Sequence, residues 1–230
     1  MSSKKVVVIS LGGSLIIRDK INLKILEHFR KVLLKNTRKY KFVVVCGGGR
    51  TARTYIKGLE GLEKNKQYLQ GLIGIATTRL NARFMTYFFG KEAYWGIPED
   101  MKQIKDLLRV NDIVFSGALR YAEHETSDGT SAKLARFFNT DFINLTNVPG
   151  LHDKDPTKFK NARFISEISH KEFYKMATKI HFKPGQHFIL DQTAAYTIKK
   201  YKIQTFILGS DMNQLDNLLN KKHFVGSVIF

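Results

Sequence analysis

Gly12-Gly13-Ser14 and Gly47-Gly48-Gly49, the second followed by Arg50 and Arg53, are the residues of this chain best suited to chemistry. Each triplet closes an apolar run and stands where a helix can begin. Glycine lets the main chain come close to an anion, and the free N–H groups of a helix start, with its dipole, favour negative charge. Arg53, one turn further on, adds a forked donor pair. The chemistry such a set supports is the holding of phosphate. Tight turns use glycine too, but two loops in consecutive units, one carrying paired arginines, shift the balance towards phosphate. Neither loop has the GxxxxGK[ST] or GxGxxG spacing, which disfavours a P-loop or dinucleotide site.

The elements that would position these loops are legible in the pattern around them. Residues 6–11 (VVVISL) and 42–46 (FVVVC) are β-branched runs, apolar on both faces, as strands buried in a parallel sheet require. Between them Asn22 is placed to cap a helix whose Ile25, Leu26, Phe29, Val32 and Leu33 fall at three- and four-residue spacing. The alternation continues with a helix near 72–89, a strand at 113–116, a helix after Ser127-Asp128 and a strand at 142–145. Asp191 caps a helix through Ile198, and 203–208, 212–219 and 224–229 read as strand, helix and strand. The fold class expected is α/β, a three-layer αβα sandwich with a mostly parallel central sheet. In such sheets ligands sit beyond the carboxyl ends of the strands, where this sequence puts its glycines.

Composition bounds the rest. The 230 residues are 43% hydrophobic, enough for one sizeable core. No Ser/Gly- or Pro-rich linker and no repeat divides them, so one continuous unit over residues 1–230 is expected. The net charge is +18, concentrated in residues 1–115, which carry 22 basic and 9 acidic side chains. An anionic substrate or partner fits that charge. No RNP-like or zinc-finger pattern accompanies it, so nucleic acid is disfavoured and a Lys-rich solvated surface is the plainer explanation. The single cysteine, Cys46, excludes a disulfide scaffold and reads as a buried filler. The seven histidines show no paired metal spacing, so a structural zinc site is not expected. Residues 6–11 are too short for a signal peptide or a membrane span, and a soluble, cytoplasmic protein is the expectation.

Six motifs in order then add a family. ISLGGS (9–14), VVVCGGGRTARTYI (43–56), GLIGIATTRLNARFM (71–85), TSDGTSAKLA (126–135), TNVPGLHDKDP (146–156) and ILDQTAAYTI (189–198) together resemble the amino-acid kinase superfamily, and within it the archaeal-type uridylate (UMP) kinases, over nearly the whole chain. The resemblance implies an ATP-dependent phosphotransferase acting on UMP, with ATP and Mg²⁺ as cofactors, small-molecule nucleotides as partners and a homo-hexamer as the assembly. It implies an acceptor and oligomerisation half over about 1–125 and a nucleotide-donor half over about 126–230. Carried over position by position, Gly12, Gly13 and Ser14 meet the donor phosphates, Gly48 the nucleoside monophosphate, and Gly49 and Arg53 the transferring phosphoryl group. Gly117, Thr126 and Ser127 belong to the loop that wraps the acceptor, with Gly71 and Arg79 on a neighbouring helix. Thr146, Asn147, His152 and Asp155 border the adenosine. Asp128, an ordinary cap by residue type, falls at the family's acidic position, where it orients catalytic groups or magnesium. Lys183 stands where relatives carry a basic residue and is, beside Arg53, a second candidate for the catalytic cation.

The chain also departs from the pattern. Ser10 stands where many members have a lysine, Gly71 where relatives have a ribose-binding aspartate, and Pro149 where TNVDG has its aspartate. The loop from Gly117 to Asp128 is about three residues longer than in relatives, with Arg120, His124 and Glu125 in the added stretch. These departures keep two alternatives open beside a UMP kinase: a superfamily member with a different anionic acceptor, and a catalytically silent nucleotide-binding or oxyanion-storing assembly. Arg79 reads equally as a phosphate cation, an oligomer contact or a surface arginine. The apolar helix around it, with Leu72, Tyr87 and Phe88, fits a subunit interface.

Overall fold

The computed structural model describes residues 4–123, 125–156, 158–179 and 190–230. The chain opens with β1 (Lys5–Leu11), a one-turn helix α1 (Gly13–Ile16), α2 (Leu23–Asn36) and β2 (Tyr40–Cys46). Helices α3 (Gly49–Gly58) and α4 (Lys66–Phe89) follow, then a 3-10 turn over Gly90–Glu92, α5 (Met101–Val110) and β3 (Ile113–Ser116). Next come α6 (Ser127–Phe138), β4 (Phe142–Leu145), an antiparallel pair β5 (Leu151–His152) and β6 (Phe164–Ile165), and β7 (Glu167–Ile168). The chain ends with α7 (His170–Thr178), α8 (Gln192–Tyr201), β8 (Thr205–Leu208), α9 (Met212–Leu219) and β9 (Ser227–Ile229).

Seven strands form one sheet in the order β3-β2-β1-β4-β8-β9-β7. The first five are parallel; β9 runs antiparallel to β8 and parallel to β7. Helices cover both faces, as all-apolar parallel strands demand. One core joins Val7, Ile9 and Leu11 of β1 to Leu26 and Phe29 of α2, Met85 of α4 and Leu215 of α9. The other joins Val8 to Leu134 of α6, Phe173 of α7 and Ile198 of α8. The two-residue period of a strand therefore puts Ser10, in phase with Val8, on the α6 face. That parity brings a buried hydroxyl to the head of α6.

The expected α/β layering and mostly parallel sheet are present, with differences at element ends. Asn22 sits at the start of α2 but its side chain makes no capping bond. The helix is held instead by its buried stripe, Leu26, Phe29, Val32 and Leu33. The helix expected near 72–89 begins at Lys66. The last strands are shorter than 203–208 and 224–229, because Ile203 N–H turns back to Ile198 and Val225 N–H donates to the Gln214 side chain, outside any ladder.

Candidate functional site

The carboxyl ends of β1, β2 and β4, and the segment leaving β3, open on one pocket. Three helices, α1, α3 and α6, begin there, at Gly13, Gly49 and Ser127. Glycines make the convergence possible. A Cβ on Gly13 would lie 2.6 Å from both Gly47 O and Gly49 Cα, so the two loops interlock backbone to backbone. Gly49 has φ +65°, a left-handed conformation that favours glycine. The cradle is tied to the sheet by Gly12 N–H to Leu145 O and Gly47 N–H to Leu11 O, both 2.9 Å. From α4 the buried Asn81 Nδ2 donates to Gly47 O at 2.7 Å.

Charge within the pocket is arranged in opposition. Arg53 is half-buried on the α3 wall, and among the described residues no hydrogen-bond or ion-pair partner meets its guanidinium. Burial, and then the charge of Arg50, hold its pKa below the ordinary arginine value. Arg50 itself points away and pairs with Asp19. Asp128 also lines the pocket, in the first turn of α6, and its Oδ1 accepts a 2.7 Å bond from Ser10 Oγ. Burial and the neighbouring charge of Asp191 push its pKa up to about 7, against the pull of the Ser10 bond. The cap of α6 is Thr126, not Asp128: Thr126 Oγ1 accepts from Asp128 N–H at 3.2 Å.

Asp191 is the hidden support. Its Oδ2 accepts from Thr126 N–H (2.8 Å), Thr126 Oγ1 (2.7 Å) and Gly129 N–H (3.0 Å), while Oδ1 accepts from Ala194 N–H at 2.7 Å. One buried carboxylate thus caps α8 and ties the head of α6 to it. Burial raises its pKa and these four bonds oppose the rise.

Of the residues singled out from sequence, Gly12, Gly13, Ser14, Gly48, Gly49, Arg53, Gly71, Thr126, Ser127, Asp128 and Thr146 line the pocket. Others stand back from it. Arg79 does not reach the pocket: its Nε and Nη2 donate to the carbonyls of Ala118 (3.3 Å) and Leu119 (2.6 Å), so it holds the loop after β3 in place. Gly117 packs on α4, where a Cβ would meet Arg79 N at 2.6 Å. His152 is buried with its ring edge-on to Phe164, centroids 5.5 Å apart. Asn147 accepts from the Thr146 hydroxyl at 3.3 Å, and Asp155 pairs with Lys158 at 3.8 Å. Lys183 lies outside the described residues. Sequence reasoning did not find Ile56, Gly74, Tyr121 or Asn144, which also line the pocket. Ile56 and Gly74 carried a signal in the motifs containing them, whereas Tyr121 lies in the longer loop and had none.

An α/β sheet with glycine-built helix starts around one pocket that Arg53 and Asp128 also line defines a protein that binds phosphorylated ligands. The Amino acid kinase family model matches residues 5–209, and the chain belongs to that family. It is similar to the uridylate kinase of Methanobrevibacter smithii, 31% identical over 97% of this chain and 98% of that one. The uridylate kinase of Thermoplasma volcanium is 34% identical over 94% and 93%. The crystal structure of uridylate kinase from Archaeoglobus fulgidus superposes with a TM-score of 0.82, at 30% identity, covering 98% of this chain and all of that one.

Proposed function

We propose that the protein is an ATP-dependent phosphotransferase that moves the γ-phosphoryl group of ATP to UMP, giving ADP and UDP. The observation that carries this reading is Arg53, a half-buried cation with no described protein counter-charge, facing interlocked glycine loops. A phosphate oxygen is the missing partner, and the similarity to named uridylate kinases supports the choice of reaction.

Phosphoryl transfer needs an in-line approach and positive charge on the equatorial oxygens, with little covalent help from the protein. Amides at the starts of α1 and α3 receive the donor phosphates around Gly12, Gly13, Ser14 and Gly49. Arg53 lies where the transferring group meets the acceptor phosphate near Gly48. Thr126 and Ser127 close the acceptor side, and Thr146 begins the adenosine border with Asn147, His152 and Asp155 behind it. Magnesium fits this donor set: Asp128 offers a hard carboxylate oxygen, since no described residue donates to its Oδ2, and it stands at the pocket beside Asn144. When bound, the ion would supply positive charge to offset what develops on the phosphate oxygens. Asp128 would hold it, and Ser10 fixes the carboxyl that does so. We assign the halves 1–125 and 126–230 to acceptor and donor, the assembly to a homo-hexamer and the location to the cytoplasm, within a pyrimidine nucleotide route. No described helix is long and apolar enough to cross a membrane.

The test is ADP release from Mg-ATP with a panel of nucleoside monophosphates. UDP formation is expected, and Arg53→Ala lowers turnover at least about tenfold, the effect of removing one charge-stabilising contact worth ~1.4 kcal/mol or more. Mg-ATP binding without turnover on any acceptor overturns the reading in favour of a silent assembly.

A further inference from the structure

The acceptor end of the pocket is built by α3, α4 and the loop over residues 118–122. On α4 it meets two glycines one turn apart. A Cβ on Gly74 would make only an ordinary van der Waals contact, 3.7 Å from Ile56 Cδ1. Gly71 is different, because a Cβ would lie 2.6 Å from Tyr121 Cδ2 and closer still to Cε2. One edge of the Tyr121 ring therefore rests on the helix backbone, in space that a side chain at position 71 would need. Tyr68, less than one turn before Gly71, holds the same ring edge-on with centroids 4.9 Å apart and planes at 82°. The loop beneath is fixed by Arg79 and by Ala118 N–H to Thr78 Oγ1 at 2.9 Å.

Several polar side chains around this end already have partners. The Thr78 hydroxyl donates to Ile75 O, and the Gln70 carboxamide donates to Ile56 O. Glu125 is held by Lys133 and Thr130. Asp128 is engaged by Ser10. Arg53 and Arg120 are cations, suited to phosphate. Among the described residues that line this end, Glu125, already held, is the one carboxylate, and no carboxamide is present to accept a hydrogen bond from a sugar hydroxyl. A planar aromatic surface is what the end offers.

We infer that Tyr121, seated on Gly71, determines acceptor specificity by ring contact with the base, and that the sugar 2′-hydroxyl goes unread, so ribo- and 2′-deoxyribonucleoside monophosphates are used alike. This rests on the kinase reading above. A site built to hydrogen-bond a hydroxyl rejects the analogue lacking it by orders of magnitude, because its own polar group is left unpaired. A site without such a group has no means of doing so. Base–aromatic stacking, in contrast, depends on the π-face and not on the sugar.

The test compares kcat/KM for UMP and dUMP at saturating Mg-ATP, in the wild type, Tyr121→Ala and Gly71→Ala. The wild-type values are expected within about tenfold of each other. Tyr121→Ala should raise KM for both acceptors about tenfold or more, by the same factor, with KM for Mg-ATP retained as the sign of an intact fold. Gly71→Ala pushes the ring off its seat by an independent route and should raise both acceptor KM values at least about threefold. A wild-type preference for UMP over dUMP beyond tenfold overturns the inference while leaving the kinase reading standing. So does an unchanged acceptor KM in both variants. Absence of turnover on every nucleoside monophosphate overturns both readings together.

Discussion

The carboxyl of Asp128 sits between a hydroxyl that favours its charge and a second carboxyl that opposes it. Because burial and Asp191 raise its pKa to about 7, the folded state binds a proton that the unfolded chain, near 3.8, releases. That stabilisation is fully present below about pH 4 and is lost as pH rises through about 7, on the order of 4 kcal/mol in total. Asp128→Asn removes the titration. We expect the variant to melt several degrees above the wild type at pH 8, with the gap shrinking as pH falls to 5, while turnover drops at least about tenfold. A thermal melt series across pH, beside steady-state kinetics, checks both halves. A variant that is no more stable at pH 8 removes the electrostatic account. At this scale the sequence was partly legible. Arg53 was readable as a pocket cation because a helix start after a glycine triplet leaves few other directions. Arg79 was not, because its type and spacing suit a phosphate or a carbonyl equally, and only the path of the distant loop decides.

Between elements, the site depends on how α6 and α8 are joined. Asp191 was legible as the cap of its own helix, and its bond to Ala194 N–H is that cap. Its three bonds to Thr126 and Gly129 were not legible, since the partners lie 62 and 65 residues away. Asp191→Ala leaves three buried N–H groups and a hydroxyl without an acceptor. Lost caps and unsatisfied donors of this kind cost about 1–3 kcal/mol each before relaxation and water repay part of it, so a net loss of about 3 kcal/mol is expected. Urea unfolding should show a lower midpoint with an unchanged slope. A loss under about 1 kcal/mol means that α6 keeps its position without this tie. Two helices beyond the expected pattern had signals of their own: Ser169 and Glu172 form a capping box for α7, and Asp100 caps α5 through Gln103 N–H. The strand–helix alternation was the most legible layer because both faces of the sheet must be buried. The antiparallel return of β9 was not, since three residues are too few to carry a direction.

For the whole molecule, α4 poses the sharpest question, because it is apolar on more sides than one core can bury. Ala82, Met85 and Phe89 face the core, while Leu72, Leu80 and Tyr87 are exposed, Leu80 at 62%. Trp95, also exposed, packs edge-on against Tyr87 with centroids 6.0 Å apart. A helix with a second apolar stripe is explained when another surface covers it, and a second copy of the chain supplies a self-complementary one. Association must then overcome the repulsion of two +18 chains, so it strengthens as salt screens them. We expect light scattering to find a multiple of 26.4 kDa for the wild type. Leu80→Asp, which places a charge in the centre of the stripe, shifts it to the single-chain mass. The same helix carries Gly71 and Gly74 on its pocket side, so separation also loosens the acceptor wall. KM for the acceptor should rise in Leu80→Asp while KM for Mg-ATP, held by loops on β1 and β2, stays put. A wild type that runs at 26.4 kDa at high and low salt leaves the exposed stripe without a partner of its own kind.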